Sequence, residues 1–226
     1  MTDEAEFARV LDEWRTITSM PAAGVERWAE AFVAIAREER DLRAEGRWVH
    51  GRDDMFAVLG VERAEIRHSA IIAWLLDPCA RHGLGTTFLD RLLRRAFPEQ
   101  VFGDLSGARP TCEVTRGDCR ADIVVWMKDA TVVVENKVDA EESPQQCDIL
   151  YERFIENVGA RFIFLTPKGR PPATATGEAA SAFASISFTD VKTALDESLK
   201  TTRMTAPPWG RRAAEDYLLT LGREFR

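Results

Sequence analysis

No stretch of the 226-residue sequence approaches the roughly 18 consecutive apolar residues needed to cross a bilayer. The opening residues (Met1-Thr2-Asp3-Glu4-Ala5-Glu6) are acidic and hold no apolar signal core. A cytoplasmic protein that does not enter membranes is therefore expected. Cysteine is scarce: the 4 present (Cys79, Cys112, Cys119, Cys147) form no CxxC pair and have no histidine at zinc-finger spacing. That disfavours a zinc module, and a chain this long has no need of a disulfide framework, so inert core thiols are expected. Repeats are absent, as is any low-complexity linker long enough to separate domains. Positive charge falls short of negative, 30 Lys and Arg against 37 Asp and Glu, for a net charge of −7. Loose binding of nucleic acid over the whole surface is disfavoured, but a local basic groove, or carboxylates balanced by divalent cations, is not.

The first half reads as helix. Phe7, Val10, Leu11 and Trp14 recur at i, i+3, i+4 and i+7 over residues 3–16. A second helix is expected over 25–43, with Val25, Trp28, Phe32 and Ile35 facing inward and Gly46 ending it. A helical turn over 54–59 stops at Gly60. Helices over 63–76 and 87–97 are closed by Asp77-Pro78 and by Pro98.

From Pro110 the period becomes that of strands, over 111–115, 121–127 and 131–138. A helix follows, with Ser143 as its cap and Pro144 in its first turn, running to about residue 158. Residues 161–166 read as a buried strand and 167–183, rich in Pro, Gly, Ala and Thr, as a mobile surface loop. A short strand over 185–188 precedes a helix capped by Thr189 or Asp190. A terminal helix carries Ala213, Tyr217, Leu218 and Leu221. The expectation is an α/β domain over 59–226 preceded by a helical extension over 1–58.

The most informative residues lie on two apolar segments, Ala-Asp-Ile-Val-Val-Trp (121–126) and Thr-Val-Val-Val-Glu-Asn-Lys-Val (131–138). Alternation puts Glu135 and Lys137 on one strand face, and the polar residues 127–130 turn the chain into a hairpin that brings Asp122 beside Glu135. Charges at the end of an apolar sheet are costly unless they pair or hold a metal. Asp122 and Glu135 are the expected ligands, with the backbone carbonyl of Asn136 as a third. Lys137, partly desolvated, would either have a lowered pKa and deprotonate a water or stabilise developing negative charge. Arg120 is the basic residue expected to meet phosphate, sharing a strand face with Asp122. Arg116, Lys168, Arg170, Arg211 and Arg212 are weaker candidates.

An Asp, 12 intervening residues, then Glu-x-Lys across a hairpin, followed by a helix bearing Gln and Tyr, resembles the PD-(D/E)xK nuclease superfamily. Further residues match one bacterial branch: Glu65-x-x-His68-Ser69, Trp74-Leu75-Leu76-Asp77-Pro78, His82-Gly83-Leu84-Gly85 and Phe88-Leu89. Arg120-Ala121-Asp122-Ile123, Glu135-Asn136-Lys137-Val138-Asp139-Ala140, Gln146, Phe164-Leu165-Thr166-Pro167-Lys168-Gly169 and Tyr217 extend it to about residues 60–225. The resemblance implies a restriction-endonuclease-like α-β-β-β-α-β core with a mixed central sheet, and cleavage of DNA with Mg2+, Mn2+ substituting. Carried over, Asp122, Glu135, Lys137 and Gln146 are catalytic, Asp122, Glu135, Asn136 and Glu65 hold metal, and His68 is a phosphate contact or a structural residue. Defence against foreign DNA is implied, and the N-terminal helices, which the resemblance leaves unassigned, could serve as a homodimer or activating-partner surface. Two departures stand out. Ala121 replaces the proline before Asp122, and Leu150 occupies the helical turn after Gln146, with Tyr151 beside it. The alternatives are a repair or structure-selective nuclease, an RNase, or a catalytically silent module that binds nucleic acid or a partner.

Overall fold

A computed structural model describes residues 22–48, 51–202 and 208–225. The chain divides into two compact units, Met1–Gly51 and Arg52–Arg226. The expected helix over 3–16 lies outside the described residues. In the first unit, α1 spans Ala22–Ala44. Trp28, Phe32 and Ile35, expected to face inward, are instead 69%, 72% and 63% exposed, because among the described residues this unit holds no second element to bury them.

The second unit begins with a short helix, α2 (Met55–Leu59). The buried Asp54 side chain caps it by accepting the amide of Ala57 at 2.9 Å, and Gly60 closes it in the left-handed region with φ 66. Such a cap is worth about 1 kcal/mol. Helices α3 (Glu65–Leu76) and α4 (Thr87–Ala96) follow. Then come β1 (Arg109–Arg116), β2 (Cys119–Trp126), β3 (Thr131–Asn136), α5 (Gln146–Phe154) and β4 (Ala160–Thr166). The chain finishes with α6 (Gly177–Ala182), β5 (Phe183–Ser187), α7 (Phe188–Thr201) and α8 (Pro208–Glu224).

The strands form one sheet in the order β1-β2-β3-β4-β5. The first three are antiparallel neighbours, while β3, β4 and β5 run parallel. The order α3-β1-β2-β3-α5-β4 reproduces the expected α-β-β-β-α-β core with a mixed sheet. All six residues of β3 are buried, as a central strand covered on both faces requires. On one face Ile123, Val125, Val132, Val134, Ile163 and Leu165 pack in a large cluster with α3, α4, α7 and α8. On the other, Val124, Val133, Phe162 and Phe164 pack with Cys147, Leu150 and Phe154 of α5. Gly159, with φ 52, lets the chain pass Asp129 before β4, where a Cβ would sit 2.5 Å from the Asp129 carbonyl oxygen.

Three local expectations are corrected. Helix α5 starts at Gln146, after Gln145 in a left-handed conformation (φ 58), so Ser143 is not its side-chain cap. The cap of α7 is Ser187, in a reciprocal capping box with Asp190. Residues 167–183 are tied down: they contain α6 and the first residue of β5, and Thr176 bonds Asp148 through both its amide (2.7 Å) and its hydroxyl (2.9 Å). Of the cysteines, Cys147 is buried, Cys112 and Cys119 are half-buried and Cys79 is exposed. Among the described residues no helix is long and apolar enough to cross a membrane.

Candidate active site

The β2–β3 register pairs Ile123 with Val134, so Asp122 and Glu135 stand at the next step, at the end of the hairpin. Asp122 is fixed there by the amide of Asn136, which donates to its Oδ2 at 2.7 Å. Glu135 is 1% exposed. Its Oε1 accepts from Gln146 Nε2 at 2.5 Å and faces Lys137 Nζ at 3.2 Å. The Gln146 amide is itself oriented, since its Oε1 accepts the amide of Ser143 at 3.1 Å. The first residue of α5 is thus locked onto the open end of the hairpin. The expected meeting of Asp122, Glu135, Lys137 and Gln146 is what the structure displays.

The electrostatics are those of a buried acidic pair. Burial pushes the Asp122 carboxyl above its usual range, against the opposing bond from Asn136 and the charge of Lys137. Burial and then the Asp122 charge push Glu135 upward as well. Lys137 moves the other way from a lowered pKa, the first of its two expected roles. Burial opposes its charge, but Glu135 beside it, with Glu65 and Asp122 nearby, outweighs that and raises its pKa. With no cation present, these neighbouring carboxylates favour the charged form of Lys137.

Glu135 Oε2 is buried and has no hydrogen-bond partner. An orphaned carboxylate oxygen is expensive, and beside a second buried carboxylate it matches what a hard divalent cation requires. Among the described residues no three His, Cys, Asp or Glu groups stand ready-made to hold a metal. The Asp122/Glu135 pair could hold a cation that keeps several of its own waters, as Mg2+ does. These residues fit the cation.

Glu65, expected as a further metal ligand, lies within electrostatic reach of Asp122, Glu135 and Lys137. Its Oε1 accepts the amides of Val138 at 2.7 Å and Ala140 at 3.1 Å, gripping the chain just after Lys137. Asn136 presents its amide to Asp122, while its side chain donates to Ser69 Oγ at 3.0 Å and to the Glu65 carbonyl at 3.2 Å. His68 does not reach the site. It is fully buried, bonded through Nδ1 to the Tyr217 hydroxyl and through Nε2 to the Glu62 carbonyl, both at 2.9 Å. Rings of Phe56, Phe188 and Phe225 surround it, and burial lowers its pKa, so a phosphate-contacting role is excluded by position. His82 is structural too, accepting the amide of Leu84 at 2.9 Å and lying 3.0 Å from the Asp77 carbonyl. Tyr151 bonds Glu178 at 3.2 Å.

Among the basic candidates, Arg116 is spent on the Arg153 carbonyl, on Asn157 and on the rings of Phe154 and Trp126. Arg170 serves Glu142, and Arg211 serves Glu215 and the Leu199 carbonyl. Lys168 and Arg212 are exposed. Arg120, 60% exposed, faces Glu113 Oε2 at 3.2 Å.

Sequence reasoning missed two residues. Glu142, with only 3% of its side chain exposed, accepts from Arg170, from the amides of Ala173 and Thr174, and from the Thr174 hydroxyl. It pins the loop after β4 beside the start of α5, and nothing local in the sequence signals that. The other is Glu113, whose φ of 56 lies in the left-handed region in mid-strand. The signal was an acidic residue interrupting a β pattern. At this point the strand pair turns over: Cys112 and Ile123 pack on the α3 face, whereas Val114 and Ala121 pack on the α5 face. The period-two rule therefore fails across Glu113 and Asp122, and with it the argument that put Arg120 and Asp122 on one face.

The sequence of residues 53–218 matches the family model of the PD-(D/E)XK nuclease superfamily, and the chain belongs to that superfamily. No curated protein and no solved structure matches it.

Proposed function

We propose that this chain is a divalent-metal-dependent endonuclease that hydrolyses phosphodiester bonds in DNA. One observation carries the reading: a buried Glu135 whose Oε1 is held by Gln146 and Lys137, whose Oε2 has no partner, and which stands beside Asp122. Superfamily membership supports nuclease chemistry. DNA as substrate, a role in defence against foreign DNA and a cytoplasmic setting rest on the resemblance of the motifs.

Asp122 and Glu135 would hold the cation, which would supply positive charge toward the phosphate and make water more acidic. The chain's own residues do the rest. Lys137, as an ammonium, neutralises negative charge as it builds on the phosphoryl oxygens. Its contact with Glu135 Oε1, with that of Gln146, fixes the carboxylate and leaves Oε2 free of other partners for a cation. Asn136 and Glu65 hold the backbone on either side of Lys137, which limits how far the ammonium can drift.

The test uses purified protein with plasmid, linear DNA and RNA, in Mg2+, in Mn2+ and in chelator, alongside Lys137→Ala and Asp122→Ala. Cleavage of DNA with either cation, lost in chelator and in both variants, is expected. Cleavage that persists in the variants would sink the site. Binding of DNA without any cleavage or cation dependence would instead mark a silent binding module on the same fold.

A further inference from the structure

The ladder between β1 and β2 runs from Arg109–Trp126 to Cys112–Ile123, skips Glu113 and Asp122, and resumes at Val114–Ala121. Glu113 occupies the skipped rung with φ 56, a conformation that Gly adopts readily and an L side chain does not. Its carboxylate lies within electrostatic reach of Asp122 and meets the Arg120 guanidinium at 3.2 Å. An ion pair this exposed, with 60% of Arg120 and 35% of Glu113 accessible, adds little to stability. Stability therefore does not explain a glutamate at a strained position.

Arg120 is two residues from Asp122 in the chain, and its guanidinium is held by Glu113, whose carboxylate lies within electrostatic reach of Asp122. A guanidinium offers five donors in a rigid fork, so Glu113 can hold one side of it while the other stays open to solvent. Such a tethered fork is pre-organised for a second anion, and phosphate suits its bidentate geometry. We propose that Glu113 is a positioning residue that holds Arg120 as a clamp on a phosphate of the nucleic-acid strand, adjacent to the phosphate attacked at Asp122 and Glu135. This rests on the reading of that pair as a phosphodiesterase centre. The chain turns over at Glu113 to deliver both effects at once: Asp122 is released from the ladder and Arg120 is aimed.

The test compares wild type, Glu113→Gln, Glu113→Asp, Arg120→Ala and the Glu113→Gln/Arg120→Ala double variant, each checked for an unchanged melting profile. Two readouts are taken on a DNA duplex: cleavage kinetics in Mg2+, and binding against salt concentration in chelator. Glu113→Gln and Arg120→Ala should each raise KM by roughly 5- to 10-fold, more than either changes kcat, and flatten the salt slope by about one phosphate contact. The double variant should be no worse than Arg120→Ala alone, and Glu113→Asp should restore part of the affinity. Additive losses, or a Glu113→Gln protein with unchanged KM and salt slope, would overturn the clamp. So would a shift in Mg2+ dependence in Glu113→Gln absent from Arg120→Ala, which would make Glu113 a cation ligand. If wild type cleaves nothing but Glu113→Gln still weakens salt-dependent binding, the clamp stands and the nuclease reading falls.

Discussion

The Glu65 carboxylate accepts the backbone amide of Val138 at 2.7 Å, one residue beyond the catalytic candidate Lys137. With Ala140 bonded to the same oxygen at 3.1 Å, the first residue of α3 fixes the exit of the hairpin. A ligand and a backbone clamp make different demands on that oxygen. Glu65→Gln keeps an acceptor and should retain activity within a few-fold with an unchanged Mg2+ midpoint. Glu65→Ala strands two amides and should lose about 2–3 kcal/mol of stability, read by chemical denaturation. A tenfold weaker Mg2+ midpoint in Glu65→Gln would make Glu65 a ligand after all.

The buried acid pair gives a stability that depends on pH and on metal. Both Asp122 and Glu135 have folded-state pKa values raised above their unfolded ones. Their folded forms bind protons more tightly, so the metal-free protein is favoured below the unfolded values near pH 4 and loses that advantage as pH rises through the folded values. Asp122→Asn and Glu135→Gln remove the repulsion. Each should raise the Tm of chelated protein at pH 8 and leave it nearly unchanged at pH 4.5, with about 1.4 kcal/mol gained for every tenfold by which folding had tightened proton binding. Adding Mg2+ at pH 8 should raise the Tm of wild type, because a dication re-ionises the pair, and should do little for either variant. Variants that destabilise at pH 8 would refute the account.

Much of this was legible in the sequence for physical reasons that also mark where legibility stopped. Periodicity located α3, α4 and β3, and a Val-Val-Val run ending in Glu-Asn-Lys could only be a covered strand with charges at its mouth. The β2–β3 hairpin followed from two apolar runs and the polar residues between them, although alternation fails at Asp122. His68 shows a finer limit. Helix spacing predicts Glu65, His68 and Ser69 on one face, yet successive residues turn by about 100°, so Ser69 stays with Glu65 and bonds Asn136 while His68 swings to Tyr217. The charge state of Lys137 is not legible from desolvation alone, because the opposing partner is supplied only by the folded chain. Glu142 and the reversal at Glu113 depend on contacts distant in sequence or on a single backbone angle. Neither has a periodic signature.

Glu142 accepts bonds from the Ala173 and Thr174 amides at 2.9 Å each and from the Thr174 hydroxyl at 2.7 Å. Although burial opposes its charge, these bonds and that of Arg170 bring its pKa down to about 2. A depressed carboxyl stabilises the fold above its unfolded pKa near 4.5, and that contribution is lost as pH falls toward 2. Glu142→Gln should destabilise the protein by about 2–3 kcal/mol at pH 7 and by little at pH 2.5. Proteolysis within 167–176 should accelerate in the variant at pH 7. An unchanged cleavage rate there would show that the loop is held by Asp148 and α6 without Glu142.

Glu113 allows stability and function to be pulled apart. Its left-handed backbone costs an L residue on the order of 1–2 kcal/mol, and its ion pair with the exposed Arg120 returns only a fraction of that. Glu113→Gly should therefore raise stability in chelator by about 1 kcal/mol, net of the extra freedom glycine has when unfolded, and raise Tm by a few degrees. The same substitution frees Arg120 and should weaken DNA binding as Glu113→Gln does. Glu113→Ala keeps the strain and removes the carboxylate, so it should lose binding without gaining stability. A Glu113→Gly protein no more stable than Glu113→Ala would mean that the turned-over strand carries no strain at this residue, and that the missing rung opposite Asp122 is set by the packing of Val114 and Ala121 on the α5 face instead.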